Sequence, residues 1–167
     1  FGAVPLRPTV EISFPKEIAT PGEPFVVVVN LHVTRACDCN DIVVRVGGSE
    51  RRFHRTRSQN ERHTRQYHRR VVLEEERTLP GRHLEPGAHT FEAELDLPAD
   101  LPPSYASDWS DIEYVASVEV DVVGWLNARG ERPFRVGPTA LDPSERQALR
   151  CATAEQVDGT ALYLEAS

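Results

Sequence analysis

The sequence predicts an all-β fold: an immunoglobulin-like Greek-key sandwich of antiparallel sheets, followed by a short C-terminal helix. Three observations carry this. Residues Thr90 to Leu97 alternate, with Phe91, Ala93, Leu95 and Leu97 on one face and Glu92, Glu94 and Asp96 on the other. From Ile112 onward, Tyr114, Ala116, Val118, Val120 and Val122 share a face with Ile112, opposite Glu113, Ser117, Glu119 and Asp121. Between and around these stretches, 13 prolines and 10 glycines break the chain as often as a many-stranded sandwich requires. Pro98, Pro102 and Pro103 cannot sit inside a regular strand, so they mark the connection between the two.

Taken in order, Val10, Ile12 and Phe14 predict a first strand, and Pro21-Gly22 a turn. Phe25 to Val33 is the strongest strand, with Phe25, Val27, Val29, Leu31 and Val33 facing the core. Arg35 to Asp41, which holds Cys37 and Cys39, reads as a connecting turn; Ile42, Val44 and Val46 form the next stripe, ended by Gly47-Gly48. Arg51 to Arg57 then reads as an edge strand and Ser58 to Gln66 as an exposed loop, before Val71 and Leu73 rejoin the core. The expected common core is Phe25, Val27, Val29, Phe91, Leu95, Tyr114, Val118 and Val120. Gly124 to Glu131 reads as a hairpin turn before a strand through Phe134 and Val136. Asp142 as cap and Pro143 at the first helical position predict a short helix to about Ala152, then a strand over Thr160 to Glu165.

The most unusual stretch is Arg51 to Arg70. Eight arginines against Glu61 alone leave a local charge of +7, and −14 on the rest of a chain whose total is −7. Arginine's rigid fork suits carboxylate and phosphate, and crowding makes a positive field. Two main readings are open. The arginines are compensated internally, by Glu74 to Glu76 and by the outward acids of the two alternating strands, or they bind an anion such as phosphate, an acidic protein segment or a membrane headgroup. On the docking reading the contacts are Arg55, Arg57, Arg62, Arg65, Arg69 and Arg70, joined by Trp109, an indole in a polar loop. Nucleic acid fits less well, because the segment has no lysine, few aromatic residues are interleaved with the cations and the total charge is negative.

No metal, cofactor or catalytic signature appears. There is no P-loop, dinucleotide fingerprint, His-Glu-x-x-His or Gly-x-Ser-x-Gly. Cys37 and Cys39 lack a second ligand pair, and Ser104, Asp108 and His89 have no nucleophile turn behind them. The expectation is a protein that is not an enzyme and uses no cofactor. Three cysteines favour a reducing, cytoplasmic setting. A start at Phe1 and the absence of methionine suggest a fragment.

Pro21-Gly22-Glu23, Gly87-Ala-His-Thr-Phe91, Leu97-Pro98, Leu101-Pro-Pro-Ser-Tyr105 and Ile112-Glu-Tyr114 together resemble the amino-terminal domain of the arrestin family. The resemblance covers roughly Val10 to Val136. It is closer to the broad group of arrestin-domain proteins, bacterial sporulation-control relatives included, than to the visual and beta arrestins. It implies an arrestin-like sandwich over residues 1–137 and a noncatalytic adaptor or scaffold that binds membrane-protein tails, trafficking machinery or signalling partners. Residues 138–167 fall outside the pattern, as an extension or the start of a second domain. Thr9 to Ile12 lack the basic pair with which visual and beta arrestins sense phosphate, so phosphate gating does not carry over. Partner identity and oligomeric state stay open.

Overall fold

The computed structural model describes residues 7–55 and 65–139, with the short segments 150–152 and 163–165. Its strands are β1 (Thr9–Ser13), β2 (Ile18–Ala19), β3 (Pro24–Val33), β4 (Cys37–Arg55), β5 (Arg65–Pro80), β6 (His83–Leu84), β7 (Gly87–Asp96), β8 (Tyr105–Ala106), β9 (Ser110–Val122), β10 (Ala128–Val136), β11 (Arg150–Ala152) and β12 (Tyr163–Glu165). One sheet runs β1-β3-β7 and a second β2-β10-β9-β4-β5, with β6 added to β4 and β8 to β9; β11 and β12 pair separately. Every pairing is antiparallel except β2 with β10. All-β alternation thus gives two sheets with their apolar faces together.

The core lies where the predicted stripes meet. Val27, Val29, Leu31 and Val33 of β3 are buried against Ile42, Val44 and Val46 of β4 and Ala116, Val118, Val120 and Val122 of β9. Full burial of each such side chain is worth about 1.5–3 kcal/mol. At one end Phe14, Phe25, Tyr114 and Phe134 form an aromatic cluster, with the Phe25 and Phe134 rings stacked 4.6 Å apart. Phe91 departs from expectation. It is half-buried on β7, the last strand of its sheet, with the Arg82 guanidinium 4.5 Å over its ring.

Several boundaries differ from the sequence reading. Cys37 to Asp41 is not a turn but the start of β4, where Cys37 pairs with Leu84 and Cys39 with Val122. Gly47-Gly48 does not end that strand: β4 continues to Arg55 because Gly48 lets the Tyr114 ring lie directly on the backbone. Arg51 and Arg52 are therefore interior, between β9 and β5, and not an edge, whereas His54 and Arg55 pair with β5 alone. Val71 does not rejoin the core. The β4–β5 register shifts between Gly48 and Ser49, so Leu73 is buried while Val71 is 59% exposed. β10 begins at Ala128, earlier than the predicted hairpin turn allowed. The expected loop over 58–64 and most of the expected helix lie outside the described residues. Arg65 and Gln66 belong to β5, and Arg150–Ala152, where the helix was to end, pairs with Tyr163–Glu165 as strand.

Candidate functional site

The arginine segment forms the far ends of β4 and β5, paired Arg51↔Arg69, Arg52↔His68 and Phe53↔Tyr67. β9 flanks β4 on the other side, with Arg51↔Asp111 and Arg52↔Ser110, and the Phe53 N–H donates to the Trp109 carbonyl at 2.8 Å. Trp109, distant in sequence, is thus brought beside the arginines. Its loop is fixed by Ser107, whose hydroxyl donates to the Ser110 carbonyl and accepts from the Trp109 and Ser110 amides. The indole itself is 62% exposed.

Part of the positive charge is compensated within the chain. Arg51 donates from Nε and Nη2 to both carboxylate oxygens of Asp111, at 2.8 and 2.9 Å, and Nη2 also reaches Glu113 at 2.7 Å. Glu50 lies 2.8 Å from Arg52 and 3.4 Å from Arg70. Of the acids proposed from the sequence as compensators, Glu113 pairs with Arg51, whereas Glu92, Glu94 and Asp96 lie on β7, in the other sheet. Glu50 and Asp111 were missed. Glu50 directly precedes the segment, but its inward turn, like the placement of Asp111 opposite Arg51, depends on strand register.

Further along the outward face, Glu76, Arg45, Glu119 and Arg129 form an alternating row of ion pairs across four strands, with Arg45–Glu119 at 3.7 Å and Arg129–Glu119 at 3.0 Å. The Asn127 amide and the Arg129 guanidinium hold the Glu119 carboxyl below its ordinary range. Between this row and the arginine end lies a shallow trough of about 520 Å³, floored by Gly47 and Ser49 and bordered by Val71, Val115, Arg51 and Arg69.

Of the predicted contacts, Arg69, Arg70 and Trp109 lie on the exposed surface at this end. Arg57 and Arg62 lie outside the described residues; Arg55 and Arg65 are backbone partners across β4 and β5. Arg69 makes no ion pair with another described residue, whereas Arg70 shares Glu50.

Ser104 Oγ accepts from the Val136 N–H at 2.9 Å, and His89 reaches the Glu85 carbonyl, so the two belong to separate structural contacts. Burial, then Asp41, pushes the Cys39 thiol up to about 11; it is no thiolate at neutral pH. Among the described residues no group of three or more His, Cys, Asp or Glu is placed to hold a metal, and no helix is long and apolar enough to cross a membrane.

Comparison with known proteins agrees with this architecture. No curated protein matches the chain in sequence. Among solved structures, Spo0M, a sporulation control protein from Bacillus subtilis, superposes with a TM-score of 0.55 at 19% identity, over 78% of this chain and 49% of that one. The chain therefore spans about half the length of that protein. The family profile described as Arrestin (or S-antigen), N-terminal domain, matches residues 8–140. On that match, which takes in both sheets of the sandwich, the chain belongs to the arrestin family through its N-terminal domain.

Proposed function

We propose that this domain is a noncatalytic protein-interaction module of the adaptor type, which docks an acidic segment of a partner protein at the arginine-bearing end of β4 and β5. The observation that carries this is the position of Trp109, whose indole is exposed and whose backbone carbonyl is bonded to the strand that bears Arg51 and Arg52, one strand away from Arg69. An exposed aromatic anchor beside guanidinium groups is the usual composition of an energetic centre for protein binding. The trough bordered by Arg51 and Arg69 offers Val71 and Val115 to apolar side chains of an extended segment, while Arg69 supplies an uncommitted fork. Intramolecular pairing of Arg51 with Asp111 fixes the floor and leaves the periphery to the partner. A relation to regulatory proteins such as Spo0M supports this class of role through fold alone.

Fluorescence polarisation with a labelled peptide that alternates glutamate and leucine tests the reading. Trp109→Ala and Arg69→Glu are each expected to weaken binding roughly tenfold or more, with the Arg69 effect shrinking at high salt. Phosphatidylserine vesicles and single-stranded RNA serve as competing arms. Binding of either in preference to the peptide, or peptide binding indifferent to both substitutions, would overturn the proposal.

A further inference from the structure

The last strand of the larger sheet has a charge pattern that complements itself. β5 ends the sheet order, and among the described residues no strand pairs beyond it. Such an edge presents unpaired backbone donors and acceptors, a template for another strand. Along it the sequence runs His68-Arg69-Arg70, then Val71-Val72-Leu73, of which Val71 is exposed and Leu73 buried, then Glu74-Glu75-Glu76. One half is basic, the other acidic, and the centre is apolar, with Val71 59% exposed. Arg69, Glu74 and Glu75 make no ion pair with another described residue.

We infer that β5 is a self-association edge: two copies of this chain pair antiparallel through β5, about a twofold axis between Val72 and Leu73, and join their larger sheets into one. The register follows from the structure. Directly opposed residues of an antiparallel pair share a face, and in a regular strand a twofold pairing would match only residues an even number apart. The β4–β5 pairing skips Val72, which shifts the alternation by one. Arg70 and Glu75 therefore share the inward face, and Arg69 and Glu76 the outward. With the axis between Val72 and Leu73, each of those pairs meets across the junction, and each occurs twice. Val72 falls opposite Leu73, and Val71 opposite Glu74, which lies diagonally next to Arg69. A parallel arrangement would instead set arginine on arginine and glutamate on glutamate. Charges on an edge ordinarily repel foreign strands. This distribution repels most strands and accepts its own reversed copy.

The pairing uses Arg69 and Arg70, near the proposed docking end, but Glu75 and Glu76 lie at the other half of the strand, so the two readings fail separately. Sedimentation velocity of the whole chain over a range of concentrations is expected to show a monomer–dimer equilibrium. R69E/R70E and E75R/E76R are each expected to weaken it by well over tenfold, since like charges then face each other. An equimolar mixture of the two variants is expected to recover the dimer, because every contact is again opposite in sign. The fourfold exchange R69E/R70E/E75R/E76R is expected to dimerise by itself, and it carries the test alone if either double variant fails to fold. A wild-type chain that stays monomeric to millimolar concentration, a dimer untouched by both double variants, or a fourfold exchange that is folded but monomeric would overturn the inference.

Discussion

The ring of Tyr114 lies on Gly48, its direct cross-strand partner, so closely that a β-carbon at position 48 would come within 2.4 Å of the ring. Side-chain packing here replaces what would otherwise be a weak point in β4, since glycine contributes neither bulk nor conformational restriction. The tyrosine hydroxyl then donates to the Pro102 carbonyl and ties the proline-rich connection to the sandwich.

Gly48→Ala is expected to destabilise the domain by roughly 1–3 kcal/mol through overpacking, because the nearest atoms belong to a buried ring and not to a flexible chain end. Urea denaturation of the variant against wild type measures this. Combining Gly48→Ala with Tyr114→Leu should cost less than the sum of the two single changes, since the clash disappears with the ring.

Tyr114→Phe is expected to cost about 1–3 kcal/mol by leaving the Pro102 carbonyl without its donor. Burial also pushes the Tyr114 phenol up to about 12. Its folded value exceeds its unfolded value near 10, so its contribution to stability is complete below pH ~10 and is lost as pH rises toward 12. Denaturation midpoints measured between pH 9 and 11 should fall more steeply for wild type than for Tyr114→Phe.

His83 is raised above its ordinary value by its hydrogen bond to Asp38, at 2.6 Å, with Glu85 at 3.4 Å from its other nitrogen. It fastens the two-residue β6 to the start of β4. A raised histidine contributes fully below its unfolded value and loses that contribution as pH rises through its folded value. Titration of the His83 ring by NMR should give a midpoint above the ordinary histidine value. Asp38→Asn should return it toward that value.

Phe25→Ala, which empties the aromatic cluster, is expected to cost about 3–5 kcal/mol. Phe91→Ala is expected to cost clearly less, because its ring is half-buried at a sheet edge and its loss leaves an open groove rather than a cavity. Equal losses in a paired denaturation experiment would place Phe91 in the closed core after all.

Alternation by itself determined the two-sheet class, the course of β3, β7 and β9 and nearly every core residue on them, because a strand with one dry face must repeat every second residue. The proline and glycine pattern determined where those strands are interrupted, and with them the arrestin resemblance. Tertiary structure decided what local pattern could not encode. Gly47-Gly48 looked like a terminus because glycine propensity is a local quantity, whereas the Tyr114 ring that lets β4 continue comes from a strand more than sixty residues away. Val71 looked like core because alternation is counted along one chain, and the register shift that turns it outward exists only between two. The placement of Trp109 beside the arginines and the pairing of Arg51 with Asp111 have the same origin. Charge and exposure become a site only when strand order and register set distant segments side by side.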